Sequence, residues 1–146
     1  MKSFVYAFRG IGHAIKTERH VRVHLAAVFY VALTAILYGD SLRYTDWALL
    51  ALACGLVIGA ELFNTAIERL CDGLEPGHSP VVKVVKDLAA GAVLICAIAA
   101  VAIAAAVFWY GPSLNREGLT EHPVFWVGIG ALPLWGAFIV WFGGKK

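Results

Sequence analysis

Four long stretches of this chain contain no charged residue, and they limit what it can fold into more than any other feature. These stretches are residues 25–39, 47–60, 88–110 and 124–144. A helix that crosses a bilayer needs about 20 mostly apolar residues. The last two stretches reach that length alone, the first extends backward through Val21, and the second continues to Leu70 with two glutamates inside it. The pattern therefore predicts four membrane helices, at about 22–39, 46–70, 85–110 and 123–142.

The composition excludes several classes of protein. Of the 146 residues, 60% are hydrophobic and 15% are charged, whereas an average soluble domain is about 45–50% apolar and about 25% charged. A disordered chain and an ordinary water-soluble enzyme are therefore excluded. The net charge of +2 gives no bulk attraction to nucleic acid, so we expect no nucleic-acid partner. The three cysteines form no CxxC pair, which predicts free thiols.

The segment before the first predicted membrane helix is amphipathic. Its apolar residues recur at helical spacing from Phe4 to Ile15, while Arg9, His13 and Lys16 fall elsewhere on the helical wheel. This pattern predicts a helix lying in the membrane interface. A plain extension of the first membrane helix is the alternative. His20 and His24 follow, and we interpret them as interface residues that contact lipid headgroups rather than as a zinc pair.

Lysine and arginine are concentrated on alternate sides of the predicted helices. They are frequent before the first helix, around the second loop and in the C-terminal tail, whereas the first and third loops hold one arginine each. Positive residues are enriched in cytoplasmic loops. The bias predicts that the N-terminus, the second loop and the C-terminus all lie in the cytoplasm.

The second predicted helix carries a polar stripe. The stripe consists of five residues at i, i+3, i+4, i+7 and i+11, namely Glu61, Asn64, Thr65, Glu68 and Asp72. They share one helix face, and Glu61 would lie roughly 13–15 Å from the cytoplasmic helix end. An ionised carboxylate deep in a membrane costs about 2.5–3.5 kcal/mol. Three roles remain open: binding a divalent cation, general-base chemistry, or hydrogen bonding to other helices.

Two further sets of charged residues belong to the same side of the membrane. The third membrane helix opens with Lys83, Lys86 and Asp87 after a Pro/Gly-rich loop, a place that would suit an anion; lysines that anchor the helix are the alternative. Glu18 lies in a basic run, where a solvated ion pair is the ordinary interpretation. The first helix returns Glu18 to the level of Glu68, so the two carboxylates could share a Mg²⁺ ion.

Two segments resemble known signatures. The segment 61–72, ELFNTAIERLCD, resembles the ExxNTAIExxxD signature of the prokaryotic diacylglycerol kinase family, and the segment 78–94, HSPVVKVVKDLAAGAVL, resembles its KxxKDxAAGAVL signature. Residues 8–24 look like the amphipathic start of the same family. The resemblance covers about residues 4 to 110 in the right order. It is strongest with the branch that phosphorylates undecaprenol.

The resemblance implies an all-α integral membrane bundle. Its core would be an N-terminal amphipathic interfacial helix with three transmembrane helices, over residues 1–112. The family acts as a homotrimer in the bacterial inner membrane, with sites shared between subunits at the cytoplasmic face. The chain departs from the family at residues 113–146, where we expect an additional fourth transmembrane helix.

The resemblance also implies roles for individual residues. Glu61 matches the general base that takes the proton from the lipid hydroxyl. Glu18 and Glu68 match the carboxylates that bind Mg²⁺ and ATP. Contacts to the nucleotide or its phosphates are implied for Asn64, Lys86, Asp87 and, as a supporting polar position, Asp72.

The predicted function is a lipid kinase that transfers the γ-phosphate of ATP to a lipid alcohol in the bilayer. Undecaprenol is the preferred acceptor, and diacylglycerol, which would give phosphatidic acid, is the alternative. A hypothesis of another class is a non-catalytic membrane assembly protein whose polar stripe joins helices. A third is an ion or proton pathway built on the buried acids. The placement of Glu18 and Lys86 at one interface argues against that pathway.

Overall fold

The protein is a helical bundle. The computed structural model describes residues 2–37, 42–74 and 79–110, and these form four helices and no strand: α1 (Lys2–Thr17), α2 (Arg19–Leu37), α3 (Tyr44–Leu74) and α4 (Pro80–Tyr110). Three helical segments are long and apolar enough to cross a membrane, Arg19–Leu37, Tyr44–Leu74 and Pro80–Phe108. This confirms the predicted all-α membrane bundle. The predicted fourth membrane helix and the boundary at residue 112 lie outside the described residues.

All three membrane helices begin earlier than predicted, and for α3 and α4 the reason is that their caps lie outside the apolar runs. The backbone N–H of Arg43 donates a hydrogen bond of 2.9 Å to Asp46 Oδ2 at the start of α3, in the manner of a capping box. Ser79 precedes α4 and its carbonyl accepts a 3.1 Å hydrogen bond from the N–H of Lys83. Pro80 then occupies the first helical position, where a missing N–H costs nothing. As a result, Lys83 lies in the first turn of α4.

The amphipathic N-terminal segment is a helix of its own. Glu18 is the single non-helical residue between α1 and α2. Arg22 Nη1 donates hydrogen bonds of 3.2 Å to the carbonyl oxygens of both Ile15 and Lys16. These carbonyls belong to the last turn of α1, where a helix leaves its acceptors without internal partners. The alternative of a plain extension of the first membrane helix is therefore wrong.

The apolar face of α1 is turned away from the rest of the described chain. Phe4 and Phe8 are each 72% exposed, and Ala14 is the one residue of α1 that is buried. An exposed apolar face on a surface helix is typical of a helix lying in the membrane interface. The interfacial position of α1 stays a prediction.

The helix α3 lies at the centre of the bundle and packs most closely against α4. Its buried residues recur every three or four positions along one face: Leu50, Ala53, Val57, Glu61 and Asn64. This set is called the α3 stripe below. At its first end, Leu50 belongs to a core cluster with Ala35 of α2 and Val107 of α4. At its other end, the same stripe becomes polar without leaving the interior.

Candidate active site at the polar end of α3

Glu61 and Asn64 are the buried polar residues of the described chain. Glu61 is 4% exposed and Asn64 is 8% exposed. The two residues lie one turn apart on a helix that is long and apolar enough to cross a membrane. A buried carboxylate and amide are costly unless they are partnered or used. Because α3 continues to Leu74 rather than ending near residue 70, Glu61 lies about 20 Å from that helix end, farther than the predicted distance.

The group that faces Glu61 comes from α2. Nε2 of His24 lies 4.0 Å from Glu61 Oε2, which is too long for a direct hydrogen bond. The side chain of His24 is 23% exposed, whereas His20, one turn earlier, is exposed. The interpretation of both histidines as headgroup contacts missed this difference. Its one sequence signal is that His24 falls at the depth where a neighbouring helix carries an acid.

The side-chain amide of Asn64 is hydrogen-bonded to Glu68 through its nitrogen only. Nδ2 of Asn64 donates a hydrogen bond of 3.0 Å to Glu68 Oε1. The other polar atom, Oδ1, is buried and has no hydrogen-bond partner in the described part of the chain. A buried acceptor without a partner is rare in native structures and calls for an explanation. A bound cation or a donor group of a ligand would supply the missing partner.

Glu18 reaches the level of Glu68, as the sequence predicted. Oε1 of Glu18 lies 2.6 Å from Nη2 of Arg69, the residue that follows Glu68. The same guanidinium nitrogen donates a 3.0 Å hydrogen bond to the hydroxyl of Thr17. The α1–α2 junction is thereby tied to α3. Arg69 was not among the predicted site residues, because an arginine near a helix end is most simply interpreted as an interface anchor.

A second ion pair lies at the outer edge of the site. Nζ of Lys86 on α4 lies 2.5 Å from Asp72 Oδ1 on α3. Two of the residues predicted to contact the nucleotide are therefore brought together across the α3–α4 connection. Asp87 follows Lys86 and is exposed beside this pair.

The oxygen atoms near Asn64 suit a magnesium ion that arrives with phosphates. In residues 2–37, 42–74 and 79–110, no three His, Cys, Asp or Glu side chains gather closely enough to hold a metal by themselves. Mg²⁺ keeps several waters and needs only one or two protein carboxylates beside substrate phosphates. Glu18 and Glu68 are hard carboxylate ligands, and the unpartnered Oδ1 of Asn64 is a hard amide oxygen next to Glu68. The donor set therefore fits the group.

The site has two levels along α3. Glu61 and His24 form a deep, nearly dry level, and the ion pairs of Arg69 and Lys86 form an outer level. Eleven residues separate Glu61 from Asp72, a distance of about 16 Å along the helix. A buried carboxylate can accept a proton, while an outer rim of charges can bind a polyanion. The arrangement suits a reaction between an apolar substrate and a charged one.

Comparison with known proteins supports the same interpretation of the site. The family model described as prokaryotic diacylglycerol kinase matches residues 5–108. An undecaprenol kinase from Bacillus subtilis is 38% identical over 107 residues, which are 73% of this chain and 85% of that protein. A diacylglycerol kinase from Synechocystis is 40% identical over 104 residues, which are 69% of this chain but only 57% of that protein.

A diacylglycerol kinase from Helicobacter pylori is 33% identical over 95 residues, which are 64% of this chain and 72% of that protein. No solved structure matches the chain. The matched region, residues 5–108, contains every residue of the two levels described above.

Proposed function

The chain belongs to the prokaryotic diacylglycerol kinase family and is a membrane lipid kinase with ATP as phosphate donor; on that premise we propose that its acceptor is undecaprenol. The product would be undecaprenyl phosphate. The observation that carries the reaction is the burial of Glu61, 4% exposed, below a rim of ion pairs. One substrate is a lipid and the other is an anion from water, so a site with a dry level and a charged level serves both.

Glu61 is the general base in this proposal. Its carboxylate accepts the proton of the lipid hydroxyl while the hydroxyl oxygen attacks the γ-phosphorus of ATP. A new P–O bond to the lipid forms, the bond from the γ-phosphorus to the β–γ bridging oxygen breaks, and ADP leaves. General-base assistance of this kind contributes about 10²–10⁴-fold to a rate. Positioning and charge neutralisation contribute the remainder in phosphoryl transfer.

The outer residues bind the nucleotide in this proposal. Glu18 and Glu68 hold Mg²⁺, which when bound neutralises charge on the phosphate oxygens. Asn64 presents its free Oδ1 to the same region. Lys86 contacts the phosphates, Asp87 contacts the nucleotide or its phosphates, and Asp72 supports the nucleotide. Glu18 and Lys86 each exchange a protein partner, Arg69 or Asp72, for the ligand.

The choice of undecaprenol rests on how much of each relative the chain spans. It covers 85% of the undecaprenol kinase of Bacillus subtilis and 57% of the diacylglycerol kinase of Synechocystis. The first match therefore includes nearly the whole relative. Diacylglycerol is the second candidate, since the Synechocystis protein is similarly identical, at 40%.

Assembly and orientation complete the proposal. Residues 1–112 form the kinase core, and residues 113–146 add a further transmembrane helix. Three copies share sites at their interfaces in the inner membrane of a bacterium. The basic residues at the Arg22 and Lys86 ends of the helices support a cytoplasmic position for the N-terminus and for the active site.

The test is a lipid phosphorylation assay with labelled ATP. The purified full chain is incubated with Mg²⁺ in mixed micelles that contain undecaprenol, diacylglycerol or neither lipid. We expect label in undecaprenol, no label without lipid, and label lowered about 10²–10⁴-fold for Glu61→Gln, with the variant's helicity and oligomeric state unchanged. Label in diacylglycerol alone would show that diacylglycerol, and not undecaprenol, is the acceptor. Equal labelling by Glu61→Gln would contradict the role of Glu61 and favour a stripe that only joins helices.

A further inference from the structure

An apolar cleft lies directly beneath Glu61, between α2, α3 and α4. It has a volume of about 220 Å³ and is lined by residues of all three helices. Val57, one turn from Glu61, and Ala100 of α4 are among them. The lining is aliphatic apart from His24 and Cys54. A cleft of this chemistry accepts hydrocarbon and offers nothing to a polar ligand along its length.

Small side chains create this cleft. Three alanines of α4 line it at i, i+3 and i+7, namely Ala97, Ala100 and Ala104, so they form one strip of the helix surface. On α2 the lining runs from His24 to Val31, a length of about 10 Å. A helix about 10 Å across would occupy roughly 780 Å³ over that length, so a cleft of about 220 Å³ admits a single chain or side chain but not a second helix.

His24 joins the cleft to the buried acid. It lines the cleft, and its Nε2 faces Glu61 Oε2 at 4.0 Å. Two polar atoms at this separation are too far apart to bond each other, but both can reach one oxygen placed about 2.8 Å from each. A hydroxyl in that position donates its hydrogen to Glu61 and accepts one from the Nε2–H of His24. The pair is spaced for an alcohol.

We propose that this cleft is the acceptor site and that His24 is the residue that holds the acceptor hydroxyl against Glu61. The first hydrocarbon segment of a lipid alcohol fills the cleft, and its terminal oxygen lies between Nε2 of His24 and Oε2 of Glu61. This inference rests on the proposed function and extends it to a binding site and a further residue. The hydroxyl proton passes to Glu61, the hydroxyl oxygen bonds to the γ-phosphorus, and ADP carries away the bridging oxygen. His24 donates its hydrogen bond throughout and keeps its proton.

The experiment measures kcat and KM for undecaprenol and for ATP separately, in the full chain, for two matched pairs of variants. His24→Ala removes the hydroxyl contact, and His20→Ala removes an exposed histidine one turn away. Ala100→Leu fills the cleft, and Ala99→Leu adds the same atoms at an exposed neighbour. His24→Gln restores an N–H donor.

We expect His24→Ala to lower kcat/KM for the lipid about tenfold, the worth of one hydrogen bond, with KM for ATP unchanged. His24→Gln should recover part of that loss. Ala100→Leu should raise KM for the lipid with little change in KM for ATP. His20→Ala and Ala99→Leu should match the wild type.

Several outcomes would overturn the inference. The first is equal behaviour within both matched pairs. The second is a parallel rise of both KM values, which indicates general damage. The third is a loss of the oligomer in Ala100→Leu without a lipid effect, which assigns the cleft to a subunit contact. If His24→Ala fails to fold, the Ala100 and Ala99 pair decides. An inactive wild type would instead contradict the proposed function, because every variant is compared with the wild type in the same series.

Discussion

The two halves of the α3 stripe are buried alike and do different work. Leu50, Ala53 and Val57 are 4–6% exposed, and Glu61 and Asn64 are 4% and 8% exposed. In the apolar half, Leu50 packs with Ala35 and Val107 and all three residues of that half line the apolar cleft, whereas the polar half faces His24 and Glu68. Depth of burial therefore does not separate packing from function in this helix. The chemistry of the side chain does.

The energetic reason is particular to a membrane. Lipid tails are as apolar as leucine, so the apolar half gains packing but little hydrophobic free energy from meeting another helix. The polar half is costly in the same surroundings. Asn64 even keeps an oxygen there that has no hydrogen-bond partner among the described residues. Residues retained against such a cost are the ones to test for catalysis.

The largest expected effect comes from replacing the acid in the polar half. Glu61→Gln keeps the shape and a hydrogen-bonding group but cannot accept the lipid proton, so turnover should fall about 10²–10⁴-fold. Labelled phosphate incorporated into the lipid measures it. The control on the exposed face of α3 is Leu56→Ala, which lies outside the cleft and should keep its turnover per folded molecule. A similar loss of turnover in both variants would break the comparison.

The next largest effect is expected from weakening the proposed Mg²⁺ site beside the polar half. Glu68→Gln weakens a proposed Mg²⁺ ligand, so the Mg²⁺ concentration for half-maximal activity should rise at least about tenfold, while saturating Mg²⁺ restores part of the rate. A Mg²⁺ titration of lipid phosphorylation measures this shift. Asp46→Asn, at the opposite end of α3, is the matched carboxylate control. An unchanged titration would remove Glu68 from the metal site.

The apolar half should respond in stability rather than in turnover. Leu50→Ala removes a side chain that is 4% exposed in the core cluster, which costs about 2–5 kcal/mol in soluble cores. We expect a value near the lower end, since lipid substitutes for part of the lost environment. Denaturant unfolding in micelles measures it. Leu50 also lines the cleft, so turnover is measured at saturating lipid, where a loss of turnover per folded molecule would contradict the division of the stripe.

A smaller effect is expected at the rim. Arg69→Gln breaks the pair with Glu18, and because the arginine is half exposed, with 51% of its side chain accessible, the free energy of unfolding should change by less than about 1 kcal/mol. The same unfolding assay measures this change. A loss as large as that of Leu50→Ala would make the pair part of the packing core.

The smallest effect is expected on the open face of α3. A Cβ added at Gly55 meets nothing within 4 Å in the described chain, so Gly55→Ala should leave the subunit unchanged or stabilise it by up to about 1 kcal/mol. Thermal unfolding and the oligomeric state are the measurements. If the variant loses its oligomer, this face is a contact between subunits.

Much of this fold could be predicted from the sequence, since long apolar runs and helical spacing are properties of single segments. The polar stripe could be predicted for the same reason, because Glu61, Asn64 and Glu68 share one helix face. Partners from other helices were not visible. His24 and Arg69 acquire their meaning from the rotation and depth of one helix against another, which spacing within one helix does not give.

The starts of the helices show the same limit. The apolar run predicted α4 from about residue 85, but Ser79 and Pro80 begin it earlier. Capping residues are usually polar and therefore lie outside the apolar pattern that predicts the helix.

The ion pairs at the rim bear on how tightly a nucleotide can be held. Glu18 is paired with Arg69, and Lys86 with Asp72, so two of the charges proposed to receive Mg²⁺ or phosphate already have a counterion supplied by the protein. When a ligand binds at such a site, it replaces the protein's own counterions. The measured affinity is therefore the difference in electrostatic free energy between the ion-paired free site and the occupied site. Added salt weakens both states. Affinity for ATP should therefore vary less with ionic strength than the number of charges in the site would suggest.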